Sequence, residues 1–193
     1  MIKIAITGNI ASGKSSVENI LEEKGYLVYD ADKLAHQVLE SNSSQIIDAF
    51  KGYDISDEGK ISRSKLGEVV FNNRELKTRL EGIIYPLLIE IFEQIFVDNC
   101  EKEYVFISAS QLFEADMEYL FDKKVLVYAN DDLRLDRLIS RNGYTQEFAK
   151  KRLAAQMRQD TKATLCDYII QNESDIVVLN QEVDKFLAWL NQA

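Results

Sequence analysis

Cysteine, histidine and proline are scarce in this chain: its 193 residues hold two cysteines, one histidine and one proline. Cys100 and Cys166 stand far apart, with no CxxC spacing and no histidine beside them. That pattern excludes a disulfide framework or a zinc site and predicts a reducing, cytoplasmic setting. His36 by itself does not make a metal centre. Pro86 predicts a kink or a break in the helix that holds it. Long uninterrupted apolar runs are missing too. The longest, 80–97, carries Glu81, Glu90 and Glu93. Three carboxylates are too many for a membrane span, so the stretch reads as an amphipathic, largely buried helix. The first apolar run, 4–7, is too short for the core of a secretory leader. Positive charge is also in deficit. Lys and Arg number 23 against 32 Asp and Glu, a formal net charge of −9. A surface that coats nucleic acid is therefore not expected.

What is present suffices for a folded enzyme-sized domain. Apolar residues make up 46% of the chain and charged residues 28%, enough for one compact domain, 1–193, with a sizeable core. The charge is unevenly spread. Between 134 and 162 stand eight basic residues (Arg134, Arg137, Arg141, Lys150, Lys151, Arg152, Arg158, Lys162) and three acids (Asp136, Glu147, Asp160), a local excess of five positive charges. A solvated helical face explains such a run, and so does a local attraction for an anionic substrate.

Residues 2–7 are short, apolar and β-branched, the pattern of a buried strand. After a glycine-rich loop, Val17, Ile20 and Leu21 recur at helical spacing, with Glu18, Glu22 and Glu23 on the other side and Gly25 as the stop. A second apolar run at 26–29 closes in Asp30-Ala31-Asp32. Strand, helix and strand within about 30 residues make a βαβ unit, hence parallel pairing. Further on, the pattern predicts helix over 33–50 in two pieces broken at Ser41-Asn42-Ser43, a loop around 53–62, and helix from 63 to 99. Strands follow at 104–109, 124–128, 167–171 and 176–179, with helices at 131–142, 145–159 and 181–192. This alternation describes a three-layer α/β fold with a parallel sheet.

Residues 8–16 read GNIASGKSS and match GxxxxGK[ST]. A chance match in a chain this long is on the order of one per cent from average residue usage. The setting, after a strand and before a helix, is the one the phosphate loop requires. Gly8 and Gly13 allow positive φ and leave room for phosphate oxygens against backbone N–H groups. The helix that starts near Lys14 points its positive end at the same place. Lys14 neutralises β/γ charge and the Ser15 hydroxyl ligates Mg²⁺ in such sites. The nucleotide-binding set is therefore Gly8, Ala11, Ser12, Gly13, Lys14, Ser15 and Ser16. No NKxD sequence is present, which removes the usual guanine-reading GTPase. A small-molecule kinase further needs an acid near the γ-phosphate, an acceptor lobe and a basic lid. Asp32 is placed to accept a proton from an acceptor hydroxyl. Asp30 either orients Mg²⁺ and the loop or caps the helix that follows.

The stretches TGNIASGKSSV, YDADKLAHQVLE, ISRSKLGEVVFNN, LEGIIYPLL, RLISRNGYTQEFAKKRLAAQM and KATLCDYIIQN, in this order over most of 1–172, resemble the dephospho-CoA kinase family. That resemblance implies a P-loop nucleotide-kinase-like core with a five-stranded sheet, a helical acceptor-binding part at about 63–99 and a lid at about 134–160. It implies ATP and Mg²⁺ as cofactors and transfer of the γ-phosphate to the ribose 3′-hydroxyl of dephospho-CoA. It further implies Asp32 as the catalytic carboxylate, Arg137 and Arg141 as lid arginines available to the transferring phosphate, Arg141 foremost, and Arg152 and Gln156 as further lid positions. Asn172 would lie in the loop that approaches adenine. The chain departs from the family pattern in two places. Tyr85-Pro86 stands where His-Pro is usual, and Ser110-Gln111 opens a segment that usually begins with proline and leucine. The first bears on how the acceptor is held, the second on the 108–114 loop. The nearest alternative is another nucleoside, nucleotide or metabolite kinase on the same scaffold. No nucleic-acid or membrane partner is expected, and oligomeric state stays open. Of the rest, His36 reads as a helix-surface residue, Trp189 as packing, and Lys162 as either a phosphate contact or a helix-end cap.

Overall fold

A computed structural model describes residues 1–71 and 73–192. The chain forms two compact units, one from Met1–Asp30 with Asn99–Ala193 and one from Ala31–Asp98.

The first unit opens with β1 (Ile2–Thr7), α1 (Lys14–Glu23) and β2 (Val28–Asp30). The chain then builds the second unit as α2 (Ala31–Ser41), α3 (Ser43–Ala49), a hairpin of β3 (Ser56–Asp57) and β4 (Lys60–Ile61), α4 (Arg63–Phe71) and α5 (Arg74–Asp98). It returns to the first with β5 (Tyr104–Ser108), β6 (Lys123–Tyr128), α6 (Asp131–Asn142), α7 (Gln146–Ala154), α8 (Gln159–Leu165), β7 (Tyr168–Gln171) and α9 (Ile176–Leu190).

In the first unit five strands form one sheet in the order β2-β5-β1-β6-β7. Every pairing is parallel, so all carboxyl ends share one edge: Ile6 and Asp30 are both in register with Ser108, and Tyr128 with Gln171. In open α/β sheets ligands bind at that edge. Along β1, Ile4, Ala5 and Ile6 are all fully buried, which means both faces are covered, as a parallel sheet requires. On one face Ile4, Ile6, Phe106, Val125, Val127 and Ile170 pack against Val17, Ile20 and Leu21 of α1 and Leu179, Val183 and Phe186 of α9. Trp189 joins this cluster, stacked near Phe186, so it is a packing residue.

In the second unit an aliphatic cluster of Val38, Leu39, Ile46, Phe50, Ile55, Leu66, Leu76 and Ile84 ties its helices together. Compact structure here begins at Ala31, well ahead of the 63–99 stretch expected to hold the acceptor.

Four local expectations change. Residues 176–179 are the first turn of α9, because Asp175 accepts from the N–H groups of Val177 and Val178 and caps a helix there. The 53–62 loop closes a two-stranded pair around Glu58 and Gly59, both at positive φ. The helix expected over 145–159 stops with α7 at Ala154, and α8 starts only at Gln159 and runs on to Leu165. Finally, α5 runs through Pro86 without a break. The carbonyl that Pro86 leaves unpaired is that of Gly82, and both residues are on the exposed side of the helix where water can serve it.

Candidate active site

The phosphate loop leaves β1 at Thr7 and enters α1 at Lys14. Gly13 caps the helix at φ 91°, and no side chain among the described residues caps it. The N–H groups of Lys14 and Ser15 therefore stand with the positive end of the helix at the loop, a cradle for an anion. A Cβ on Gly13 would collide with Nδ2 of Asn172, and one on Gly8 would stand 2.6 Å from Ser12 Oγ, so neither position admits a side chain. Ala11 sits at φ 63°, a left-handed conformation that a non-glycine residue adopts at some cost. Ser15 is exposed at the start of α1 and Ser16 donates its backbone N–H to Gly13 O. Ser12 Oγ is buried.

Long-range hydrogen bonds hold this loop. Asn172, at the end of β7, donates Nδ2 to Ser12 O at 2.7 Å, while its N–H bonds Tyr128 O. Arg137 on α6 donates to Asn172 O at 3.1 Å and reaches Ala11 O at 3.5 Å. Arg137, Arg141 and Asn172 line a cavity of about 640 Å³ together with Ala11, Gly13 and Ser16. Of the expected nucleotide residues, Ala11, Gly13, Ser16, Arg137 and Asn172 line this opening, while Gly8, Ser12, Lys14 and Ser15 do not. Arg141 lies one helical turn beyond Arg137 and bonds Asn142 Oδ1 at 2.9 Å.

The stretch after α7 is also bonded to the loop. Gln156 Oε1 accepts from Ile10 N–H at 2.8 Å, and Asn9 donates Nδ2 to Met157 O at 2.8 Å. Arg134 donates Nε to Ile10 O and Nη1 to Asp131. Burial pulls the Arg134 guanidinium below its ordinary value, against the raising pull of Asp131. Arg152 is exposed on α7. Of these, the family resemblance pointed to Arg152 and Gln156; Asn9 and the buried role of Arg134 carry no local signal.

Two basic residues leave the expected pool of substrate-facing charge. Lys162 is fully buried and bonded to Ser110 O and Glu114 Oε1, at 2.8 and 2.9 Å, so it neither meets phosphate nor caps a helix end. Arg134 is likewise only 2% exposed. Glu18 also departs from expectation. Instead of lying on the solvent side of α1 it is buried, with Oε1 2.8 Å from Lys14 Nζ and bonded by Ser108 Oγ, which Lys14 also contacts.

Asp30 ends β2 at the edge that carries the loop. Asp32 is exposed in the first turn of α2 and belongs to the helical unit. One helical turn later on α2, His36 is exposed as expected, with Arg63 Nη1 3.4 Å from its Nδ1. Arg63 also pairs with Glu40 at 2.6 Å. Among the described residues no group of three or more His, Cys, Asp or Glu gathers to hold a metal, and no helix is long and apolar enough to cross a membrane.

Comparison with known proteins matches residues 2–177 to the family model described as dephospho-CoA kinase. A dephospho-CoA kinase of Fusobacterium nucleatum is 36% identical over 185 residues, covering 95% of each chain. Among solved structures, a protein from Thermus thermophilus is 30% identical with a TM-score of 0.87, covering 98% of this chain and 97% of that one. A dephospho-CoA kinase from Campylobacter jejuni is 31% identical with a TM-score of 0.67, covering 96% and 95%.

Proposed function

The chain belongs to the dephospho-CoA kinase family, and on that premise we propose how its residues move the γ-phosphoryl group of ATP onto the ribose 3′-hydroxyl of dephospho-CoA, the last step to coenzyme A. The observation that carries the reading is the uncapped, glycine-shaped loop 8–16, with Lys14 and Ser15 at its helix start, whose Ala11, Gly13 and Ser16 line a cavity shared with Arg137, Arg141 and Asn172.

The N–H groups of 13–15 at the start of α1 bind the triphosphate. Lys14 takes β/γ oxygens, and Asn172 and Arg137 keep the loop in shape while the base lies beside the start of α9. A divalent ion fits this donor set. Ser15 Oγ is an exposed hard oxygen next to a phosphate cradle, which suits Mg²⁺ arriving with its nucleotide rather than held by a protein cage. Held there by Ser15, Mg²⁺ would supply positive charge against the phosphate oxygens of the nucleotide. Asp32 accepts the proton of the 3′-hydroxyl as that oxygen bonds to the γ-phosphorus. The bond from γ-phosphorus to the bridging oxygen breaks, and ADP leaves with the electron pair. Arg141 balances charge on the transferring group. The 134–160 segment acts as lid and excludes water, which prevents idle ATP hydrolysis. The helical unit, including 63–99, holds the acceptor. A cytoplasmic setting is part of the proposal, and the two thiols, both unpaired, suit it.

Incubation with Mg²⁺-ATP and separate acceptors tests the reading. Phosphorylated product with dephospho-CoA and not with AMP or adenosine is expected. Product with AMP alone would move the chain to another kinase activity, and ATP binding without any product would remove the transfer.

A further inference from the structure

Phosphate-loop phosphotransferases hold their metal with a loop hydroxyl and a carboxylate from a second element. In this sheet β1 lies between β5 and β6, and the carboxyl end of β5, level with the loop, carries Ser108. A hydroxyl stands where an acid would be useful. The acid comes from elsewhere. Glu18 lies four residues after Lys14 on α1, hence on the same face of that helix. Its Oε1 accepts from Lys14 Nζ at 2.8 Å and from Ser108 Oγ, and Lys14 donates to Ser108 Oγ as well. Lysine, glutamate and serine thus close a triangle. Ser108 is 0% exposed and Glu18 8%, so this is an interior arrangement at the phosphate loop and not a surface pair. A carboxylate buried this deeply is costly without a partner, and here its partner is the very ammonium group that a triphosphate must recruit.

We propose that Glu18, supplied by α1 itself, is the carboxylate of this phosphate site. In the empty loop it positions Lys14. When the triphosphate draws Lys14 away, the vacated oxygen faces the water shell of the incoming Mg²⁺. Glu18 is then a positioning residue, acting on the metal through its water ligands. Ser108 fixes the carboxylate's direction. The proposal rests on the kinase reading above and deepens it.

The test measures ATP binding at equilibrium against Mg²⁺ concentration, and again in EDTA. Glu18→Gln keeps the size of the side chain and a hydrogen-bonding partner for Ser108 but loses the charge. Loss of an outer-shell carboxylate is expected to raise the Mg²⁺ needed for half-maximal tightening by about 10- to 100-fold, without weakening metal-free ATP binding. The double variant Glu18→Ala with Ser108→Asp moves the acid to the strand, where Ser108 Oγ already touches both partners, and is expected to bring the Mg²⁺ dependence back. An unchanged Mg²⁺ dependence in Glu18→Gln overturns the assignment, as does a folded double variant that stays impaired. Either variant decides the matter if the other does not fold. Wild-type protein reports on the underlying reading separately. If it binds no ATP, both fall; if it binds and turns over while Glu18→Gln is indistinguishable, only the role of Glu18 falls.

Discussion

The two compact units spend their charged residues differently. In the sheet unit Arg134, Lys162 and Glu18 are buried and each is fixed by named partners, and all but Lys162 touch the phosphate loop directly. In the helical unit the ion pairs lie at the surface. Arg63–Glu40, Lys65–Asp54, Lys65–Asp57, Lys77–Glu81 and Arg79–Glu75 all involve side chains well exposed to water. Exposed pairs are worth about 0–1 kcal/mol each, whereas breaking a buried one costs about 3–5 kcal/mol. The helical unit is therefore held by its aliphatic cluster, and its charges remain on the surface. The sheet unit uses charge as framework. Chemistry that needs a rigid set of donors sits in the second kind of environment.

That contrast can be broken or sharpened in order of expected effect. Lys14→Ala and Asp32→Asn should each lower turnover by about 10²- to 10⁴-fold, read by steady-state kinetics. Asp32→Asn, in the helical unit, should leave ATP affinity nearly intact; loss of ATP binding would remove Asp32 from the role of base. Next, Lys162→Met leaves Glu114 without its buried partner and should cost about 3 kcal/mol, seen as a lower denaturation midpoint. Asn172→Ala strands the buried Ser12 carbonyl and should cost about 1–3 kcal/mol, with a higher KM for ATP, because the loop it holds is the binding site. Glu75→Ala, on an exposed pair of the helical unit, should change stability by less than about 0.5 kcal/mol. A value near that of Lys162→Met would erase the distinction.

One titration adds a pH arm. Burial, with the Asp167 carboxylate beside it, pushes the Cys166 thiol up from an ordinary value near 9 to about 12. Between those values the unfolded chain gives up the proton and the folded chain keeps it. The stability Cys166 contributes is complete below pH about 9 and is lost as pH rises towards about 12. Cys166→Ala should flatten that decline in urea titrations on the alkaline side. An equally steep decline in the variant would assign it to other groups.

Where local chemistry decides, the sequence already spoke. The loop from Gly8 to Ser16, the break near Asn42 and the span of α6 (Asp131–Asn142) follow from glycines, caps and periodicity within a few residues. The failures share a cause. Residues 155–158 read as helix, but Gln156 bonds Ile10 and Met157 bonds both Asn9 and Glu114. Those distant partners satisfy the backbone outside any helix. Arg134 and Glu18 read as solvated charge, and Lys162 as a phosphate contact or a helix-end cap, because each partner lies far along the chain or behind the helix face that periodicity assigns to water. The β-branched run at 176–179 imitates a strand until Asp175 caps it. Proposed roles for Asp32 and the acceptor lobe rest on motif and family, since they belong to a unit whose own contacts are aliphatic.

The bond from Asn172 to Ser12 spans 160 positions. During synthesis the phosphate loop is made 160 residues before the asparagine that closes it, so it waits unfinished for that partner. A nascent or prematurely terminated chain lacking that asparagine carries the nucleotide motif without the strut that shapes it. Such fragments should be poor competitors for cellular ATP.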